Sequence, residues 1–591
     1  MLELLTRYAH EHRLEAEPGF APKVVKWSIR VTGDGRFVGV LELGDAGAKN
    51  NRGHTFPCCP ELSQPEIKRG GSGTRHFLVD SAEVVALHHK DPDAKLRAKH
   101  AFFVGLLDQA SSVMPELAAA AKCLRDEDTL AAIQARLTEL KARPADNVTV
   151  SIAGLDPPHP VESSTWHDWW RDFRGALGGG NKPQATSGEP GGATMRCLAS
   201  GEMVTPALTH PKIKGLADVG GLAQGDVLAS FKQDAFRSYG LLQSANAAVS
   251  EAKAAEYRAA LNELIAHGSH RLTGARVVHW FKKRVAVGED PLAFLVAFED
   301  SPEETARDRA RRLLRGIERG ERPDLRDNYY YVLTVSGASG RVMVRDWMEG
   351  QFEELVRAVS CWFDHLSIVR RDGSGLAPDP KFLAVLGALV RDLKDVPAPV
   401  EAATWRTAVN GSSVPVQLLA MAQARTRVGI LTDEPFNHAR MGLLKAYHVR
   451  QGDKDMKPHL YEEHPSAAYQ CGRLMAVLAA LQYSALGDVG AGVVQRYYAA
   501  ASATPALVLG RLVRTSQFHL EKLKNPRLKS WYQNKIAGIM ARIDDMPPTL
   551  DLVDQSRFAL GYYQQIAADR ARRSDDQTAN DTEITEENPH A

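Results

Sequence analysis

Strand-like alternation of apolar and polar positions is interleaved with helical spacing through the early part of the chain, and helical spacing alone continues through its later part, so two kinds of architecture are expected in succession. Leu2, Leu5, Tyr8, Ala9 and His12 share a helical face among Glu3, Arg7, Glu11 and Arg13, which predicts a surface helix at the start. Val25, Trp27, Ile29 and Val31 then alternate with polar neighbours. Thr32-Gly33-Asp34-Gly35 supplies turn chemistry and residues 36–43 resume as a strand, so a β-hairpin is expected. Residues 46–75 are rich in Gly, Pro and charge and read as a loop with a basic, flexible end. Helices are predicted over 93–109, 115–124 and 128–142, and a strand on Val148, Val150 and Ile152. A Gly/Pro/Ser-rich connection follows near 175–192. Strands at 227–231 and 276–281 flank a helix at 251–267, and 329–335 pairs with 341–346 across Ser336-Gly337-Ala338-Ser339-Gly340.

Beyond Trp347 the strand signals stop. Helical segments are punctuated by Pro397 to Pro399, Gly411, Gly452, Gly487 to Gly492, Pro505, Pro526 and Pro547-Pro548, a rhythm that suits an antiparallel bundle. The predicted fold class is α+β: a mixed α/β N-terminal region with β-hairpins over 1–346, an all-α helical bundle over 347–573, and an acidic, disordered tail over 574–591.

A chain of 591 residues with 44% apolar content is too long for one core and is expected to form several domains. Its six cysteines are scattered without a CxxC pair, which indicates neither a disulfide framework nor a zinc site and suggests a reducing, cytoplasmic setting. No signal peptide is expected, and no apolar run approaches the roughly 18 residues that cross a bilayer. The net charge of +1 conceals an uneven distribution. Six acidic side chains and no Lys or Arg lie in 574–591, whereas Arg496 to Arg542 holds nine Lys or Arg against the single acid Glu521.

No G-x-x-x-x-G-K-[ST] loop, H-E-x-x-H helix or G-x-S-x-G elbow is present, so no catalytic residue, metal or cofactor is expected. Asp364-His365 reads as a helix-surface pair. Trp166, His167, Trp169, Trp170 and Phe173 suit either base stacking or a core or subunit contact. The basic stretch has two readings as well. Arg496, Arg511, Arg514, Lys522, Lys524, Arg527, Lys529 and Lys535, interleaved with Tyr497, Tyr498, Phe518, Trp531 and Tyr532, suit a groove that tracks a single strand; the alternative is a solvated face whose aromatics point inward.

A series of phrases carries a resemblance over most of the chain. Pro18-Gly19-Phe20, Val25-Lys26-Trp27, Gly33-Asp34-Gly35-Arg36-Phe37 and His76-Phe77-Leu78-Val79-Asp80 open it, and His210-Pro211-Lys212-Ile213-Lys214-Gly215 and the phrase from Ser230 to Gly240 continue it. Gly472-Arg473-Leu474, Tyr498 to Ala506, His519 to Leu523 and Phe558-Ala559-Leu560-Gly561-Tyr562-Tyr563-Gln564-Gln565 complete it. In this order they resemble the Cas8-type large subunit of the type I-C CRISPR surveillance complex, Cascade. Lys232, Ala248 and Gln564 depart from the residues usual in that family.

The resemblance implies a non-catalytic subunit that recognises a short flanking motif (PAM) in double-stranded DNA, helps to unwind it and guides the displaced non-target strand. Cas5-type and Cas7-type subunits, a CRISPR RNA and a helicase-nuclease recruited later are the implied partners. Two PAM-proximal regions are expected on that basis. One is the loop bearing Lys68, Arg69, Ser72, Thr74 and Arg75; the other comprises Gln224, Lys232, Gln233, Ser238 and Asn246. Small subunits from an internal start are implied too, and Met456 is the preferred start ahead of Met441 and Met475. The competing expectations are a helical scaffold whose basic surface is incidental and a nuclease with an unrecognised site.

Overall fold

The computed structural model describes residues 1–14, 17–45, 51, 53–178, 194–231, 233–236, 241, 243–296, 304–429 and 436–586, with side chains as far as 572. The chain forms two compact units, one of residues 1–267 with 337–343 and the other of 268–336 with 344–591.

The first unit is built on strands β1 (Phe20–Val25), β2 (Trp27–Val31), β3 (Phe37–Glu42), β4 (His54–Pro60), β5 (Asp80–Ser81) and β6 (Asn147–Ile152). The expected hairpin forms, with Trp27 opposite Glu42 and Ile29 opposite Val40. β2 also runs parallel to β6, and the sheet order is β3-β2-β6-β5. Ser28, Thr149 and Ser151 are buried together with Ile29, Val148 and Val150, so both faces of the central strands are covered, as parallel pairs require. Two polar groups on these strands find partners, Thr149 Oγ1 donating to the Leu78 carbonyl at 3.0 Å and Trp27 Nε1 to Asp146 at 3.0 Å, while the buried Ser28 and Ser151 hydroxyls have no hydrogen-bond partner among the described residues.

Helices Ala94–Ala110, Leu117–Arg125 and Glu127–Glu139 fill the connection between β5 and β6. Asp93 and Asp126 start two of them by accepting the N–H groups of Leu96 and Thr129.

Two expectations need correction. The segment 46–75 is not one loop: β4 pairs antiparallel with β1, and helix Gln64–Arg69 follows. Composition hides both because the buried residues of β4, Phe56, Cys59 and Pro60, stand in a stretch of prolines and cysteines. The strand expected at 227–231 shrinks to Asp226–Val227, since the Asp226 carboxylate turns back to accept the Leu222 N–H. The aromatic cluster belongs to the core: Trp166 and Trp170 are fully buried, and their indole N–H groups donate to the Pro160 and Gly19 carbonyls. Of the Gly-rich connection, 179–192 lies outside the described residues.

In the second unit, strand Arg276–Phe281 lies antiparallel to both Ser269–Arg271 and Tyr329–Ala338. Strand Arg341–Gln351 outruns its expected end at 346, with Asp346 and Met348 still turned inward. The helices follow: Phe352–Leu366, Phe382–Gly387, Ala398–Asn410, Val416–Gly429, His438–Arg450, Ala467–Leu486, Val493–Ala501, Pro505–Lys522, Pro526–Met540 and Leu552–Glu586. The last carries helical backbone into the acidic segment. The strands at 268–336 group with these helices because Val277, Tyr330 and Val332 join Trp362, Trp405, Tyr469 and Tyr498 in one core. No described helix is long and apolar enough to cross a membrane.

Candidate nucleic-acid interface

The 68–75 segment is more ordered than its composition suggests. Ser63 and Glu66 form a reciprocal capping box that starts helix Gln64–Arg69, so Lys68 and Arg69 stand in a helical last turn instead of a flexible loop. Both are exposed, as is Ser72. Thr74 is buried at 1% exposure, and Arg75 is half-buried with its Nε lacking a hydrogen-bond partner among the described residues. Gly73 packs so closely on helix Ala94–Ala110 that a Cβ there would sit 3.0 Å from the Ala98 carbonyl oxygen. Beneath the segment, His76 Nδ1 accepts the Leu62 N–H, and burial, with Lys23 and Arg75 adding to it, holds the imidazole well below its ordinary pKa.

In the second expected region Gln224 and Gln233 are exposed. Asn246 is not a free reader, because its amide donates to the Gln243 carbonyl at 3.0 Å and to the Leu241 carbonyl at 3.4 Å, closing the turn around it. Lys232 and Ser238 lie outside the described residues.

The C-terminal segment resolves more sharply. On helix Pro505–Lys522, the residues Leu507, Arg511, Arg514, Phe518 and Lys522 follow one another at spacings of four, three, four and four, so all five share one face over about 22 Å. All five are exposed, Leu507 at 78% and Phe518 at 67%. Asn525 accepts the Arg527 N–H at 2.9 Å to start the next helix, which carries Arg527 and Lys529 just after Lys524. Arg496 is exposed on helix Val493–Ala501. Among the described residues the side chains of Arg496, Arg511, Arg514, Lys522, Lys524, Arg527 and Lys529 make no hydrogen bond or ion pair.

Lys535 is different and must be removed from this set. Its ammonium pairs with the largely buried Asp569 at 2.5 Å and lies 4.9 Å from the Trp531 ring, which also meets the Arg572 guanidinium at 4.5 Å. The interleaved aromatics divide in the same way. Tyr498 and Tyr532 are fully buried, Tyr497 is partly buried against the core and Trp531 is occupied by cations, which leaves Phe518 as the exposed ring of the set. Leu507 escaped the sequence reading, although its place four residues before Arg511 is the signal that would have found it.

The resemblance had tied these segments to one family, and a direct comparison decides the matter. A family model for the CRISPR-associated protein Csd1 matches residues 3–569. The chain belongs to the Csd1 family. None of the curated proteins compared with it matches. Csd1 is the large-subunit family of type I-C, and membership gives the chain a place in a Cascade-type complex.

Two of the phrases that marked this Csd1 chain in sequence turn out to meet in space. Gly472 faces the Phe558 carbonyl and Gly561 faces the Tyr469 carbonyl so closely that a Cβ at either would collide with backbone, and helices Ala467–Leu486 and Leu552–Glu586 cross there. The Tyr469 hydroxyl donates to Gln564, Arg473 Nε donates to Gln565 at 2.9 Å, and the Tyr563 hydroxyl donates to the Val369 carbonyl at 2.9 Å. These residues hold the bundle together. Asp364 and His365 are also structural. Asp364 pairs with Arg311, while His365 accepts from Arg450 and is pushed down to about 4 by burial, with Arg450 and Lys445 adding to it; the pair is half-buried instead of lying on the surface.

Proposed function

We propose that this chain acts in Cascade as a non-catalytic DNA-handling subunit that recognises the PAM in double-stranded DNA, helps to unwind it and guides the displaced non-target strand. The carrying observation is the exposed line of Arg511, Arg514, Phe518 and Lys522, cations without partners among the described residues beside an exposed ring. Cations hold phosphates at a salt-dependent free energy, and an aromatic face accepts any unstacked base, so this line suits a strand whose sequence is read elsewhere by guide pairing. For the duplex, Lys68, Arg69 and Ser72 offer phosphate or base-edge contacts at a fixed helix end, and Gln224 and Gln233 offer amides.

In this reading Cas5-type and Cas7-type subunits and the CRISPR RNA hold the chain in a cytoplasmic complex, and cleavage belongs to a recruited helicase-nuclease. A start at Met456, in the connection before helix Ala467–Leu486, would yield small subunits that keep every residue of the basic line.

The test is binding of the complex, assembled with and without this chain, to duplexes that differ only in the bases flanking the target, at fixed salt. Flank-dependent binding that requires the chain is expected. Equal binding without it would move the chain to the role of a helical scaffold.

A further inference from the structure

A group of metal-capable side chains lies far from the basic line. One nitrogen from each of His270 and His279 and one carboxylate oxygen of Asp290 lie within 4.8 Å of one another. Their spacing of nine and eleven residues matches no sequence motif, which is why only the fold discloses them. Strand Ser269–Arg271 pairs with Arg276–Phe281 in a register that sets His270 opposite Val277, so His270 and His279 are diagonal neighbours on one face of the pair. Their rings stack at 5.4 Å and 11°. Asp290 comes from another element: its Oδ1 accepts the Leu292 N–H at 2.9 Å, which aims Oδ2 at His279 Nε2, 2.7 Å away.

His279 is buried, its Nε2 meets only Asp290, and its Nδ1 has no hydrogen-bond partner among the described residues, so no group outside the cluster is seen to hold the ring by a hydrogen bond. His270 and Asp290 are half-buried, which gives the cluster a route to solvent. Phe281 closes one side with its ring 5.6 Å from His279.

We propose that His270, His279 and Asp290 form a binding site for one divalent transition-metal ion of the zinc class. Two imidazoles and a carboxylate suit zinc or its neighbours over magnesium or calcium, which prefer oxygen alone. Three protein ligands leave a position for water. The ion ties a strand pair to the residue that precedes helix Pro291–Val296, so its first effect is to clamp this part of the unit. Binding needs both imidazoles unprotonated and weakens as the pH falls through the histidine range.

The experiment uses the full-length chain without an affinity tag, stripped with a chelator, reloaded with zinc and freed of unbound metal. Zinc retention is measured by elemental analysis, cobalt binding by visible absorption, and melting temperature with and without zinc. About one equivalent of zinc, a cobalt titration with a defined end point and a rise of a few degrees in melting temperature are expected. His270→Gln and Asp290→Asn should each weaken binding at least about tenfold while His267→Gln, an exposed neighbour in sequence, leaves it unchanged. Two results would overturn the site: a wild-type chain with no retained zinc and no zinc-dependent melting shift, or variants that bind as the wild type does.

Discussion

The segments 68–75 and 496–529 are both basic in sequence and end in opposite situations. In the first, packing claims half of the chemistry: Thr74 is buried, Gly73 lies against the Ala98 carbonyl, and Arg75 is drawn partly inside. In the second, seven cations stand unpaired among the described residues, and five residues of one helix face form a line instead of a point. The difference follows from backbone geometry. A helix sends every third or fourth side chain to the same face at a fixed rise, so charge spread through its sequence becomes a continuous track. A short turn must fill its own interior. The helix therefore suits a long, sequence-tolerant contact with a strand, and the turn suits a few positioned contacts with a duplex.

The sharpest way to break this comparison is charge reversal along the track. Arg511→Glu, Arg514→Glu, Lys522→Glu and Lys524→Glu together should lower the affinity of the complex for single-stranded DNA by about 100-fold or more at low salt. The slope of log affinity against log salt should shrink by about 3, since each lost phosphate contact on a single strand removes about 0.7. Melting temperature should hardly move, because none of the four supports the fold through a hydrogen bond or ion pair among the described residues. Fluorescence anisotropy at several salt concentrations checks it, and an unaltered slope would mean that the track does not meet the strand.

Phe518→Ala separates stacking from charge on the same face. A loss of about 1–3 kcal/mol in strand binding is expected with the salt slope unchanged, because stacking on a ring releases no counterions. A changed slope with unchanged affinity would assign the ring to a protein contact.

How much of this was legible in the sequence depended on whether a signal was periodic. The β2–β3 hairpin was readable because a strong apolar alternation was bounded by turn residues, and the helix Glu251–His267 because it is a run of strong helix formers. The basic face was readable for the same reason, except that its aromatics could not be sorted: Tyr532 and Phe518 look alike in sequence, and only the packing buries one and exposes the other. Strand β4 was hidden by its prolines, and the His270, His279 and Asp290 group was hidden because its members come from three elements joined by pairing and capping. The phrases around Arg473 and Gly561 were visible as a family pattern, while their cause, a close helix crossing, was not.

On the other side of the comparison, Lys68→Ala with Arg69→Ala should weaken duplex binding and reduce its salt slope by about 2 if both touch phosphate. Relaxed preference among flanking bases with little change of slope would instead assign Arg69 to a base edge, worth about 1–3 kcal/mol at that position. Filter binding to matched duplexes distinguishes the two, and no change in either quantity would remove the segment from the interface.

The smallest effect on binding should come from Lys535→Met, and it tests the principle that divides the basic residues. Lys535 belongs to the basic stretch by sequence, yet its charge is already spent on Asp569 and the Trp531 ring. Strand affinity should therefore stay within about twofold of wild type, near the noise of a lost long-range charge under screening. Stability should fall by about 1–3 kcal/mol, because among the described residues Asp569 keeps only the Gln565 amide as a donor in a largely buried place. Urea unfolding measures that loss. A variant that bound strand as poorly as the charge-reversed track while unfolding normally would show that partnered cations contribute as much as free ones, and the distinction between the two kinds of basic residue would fail.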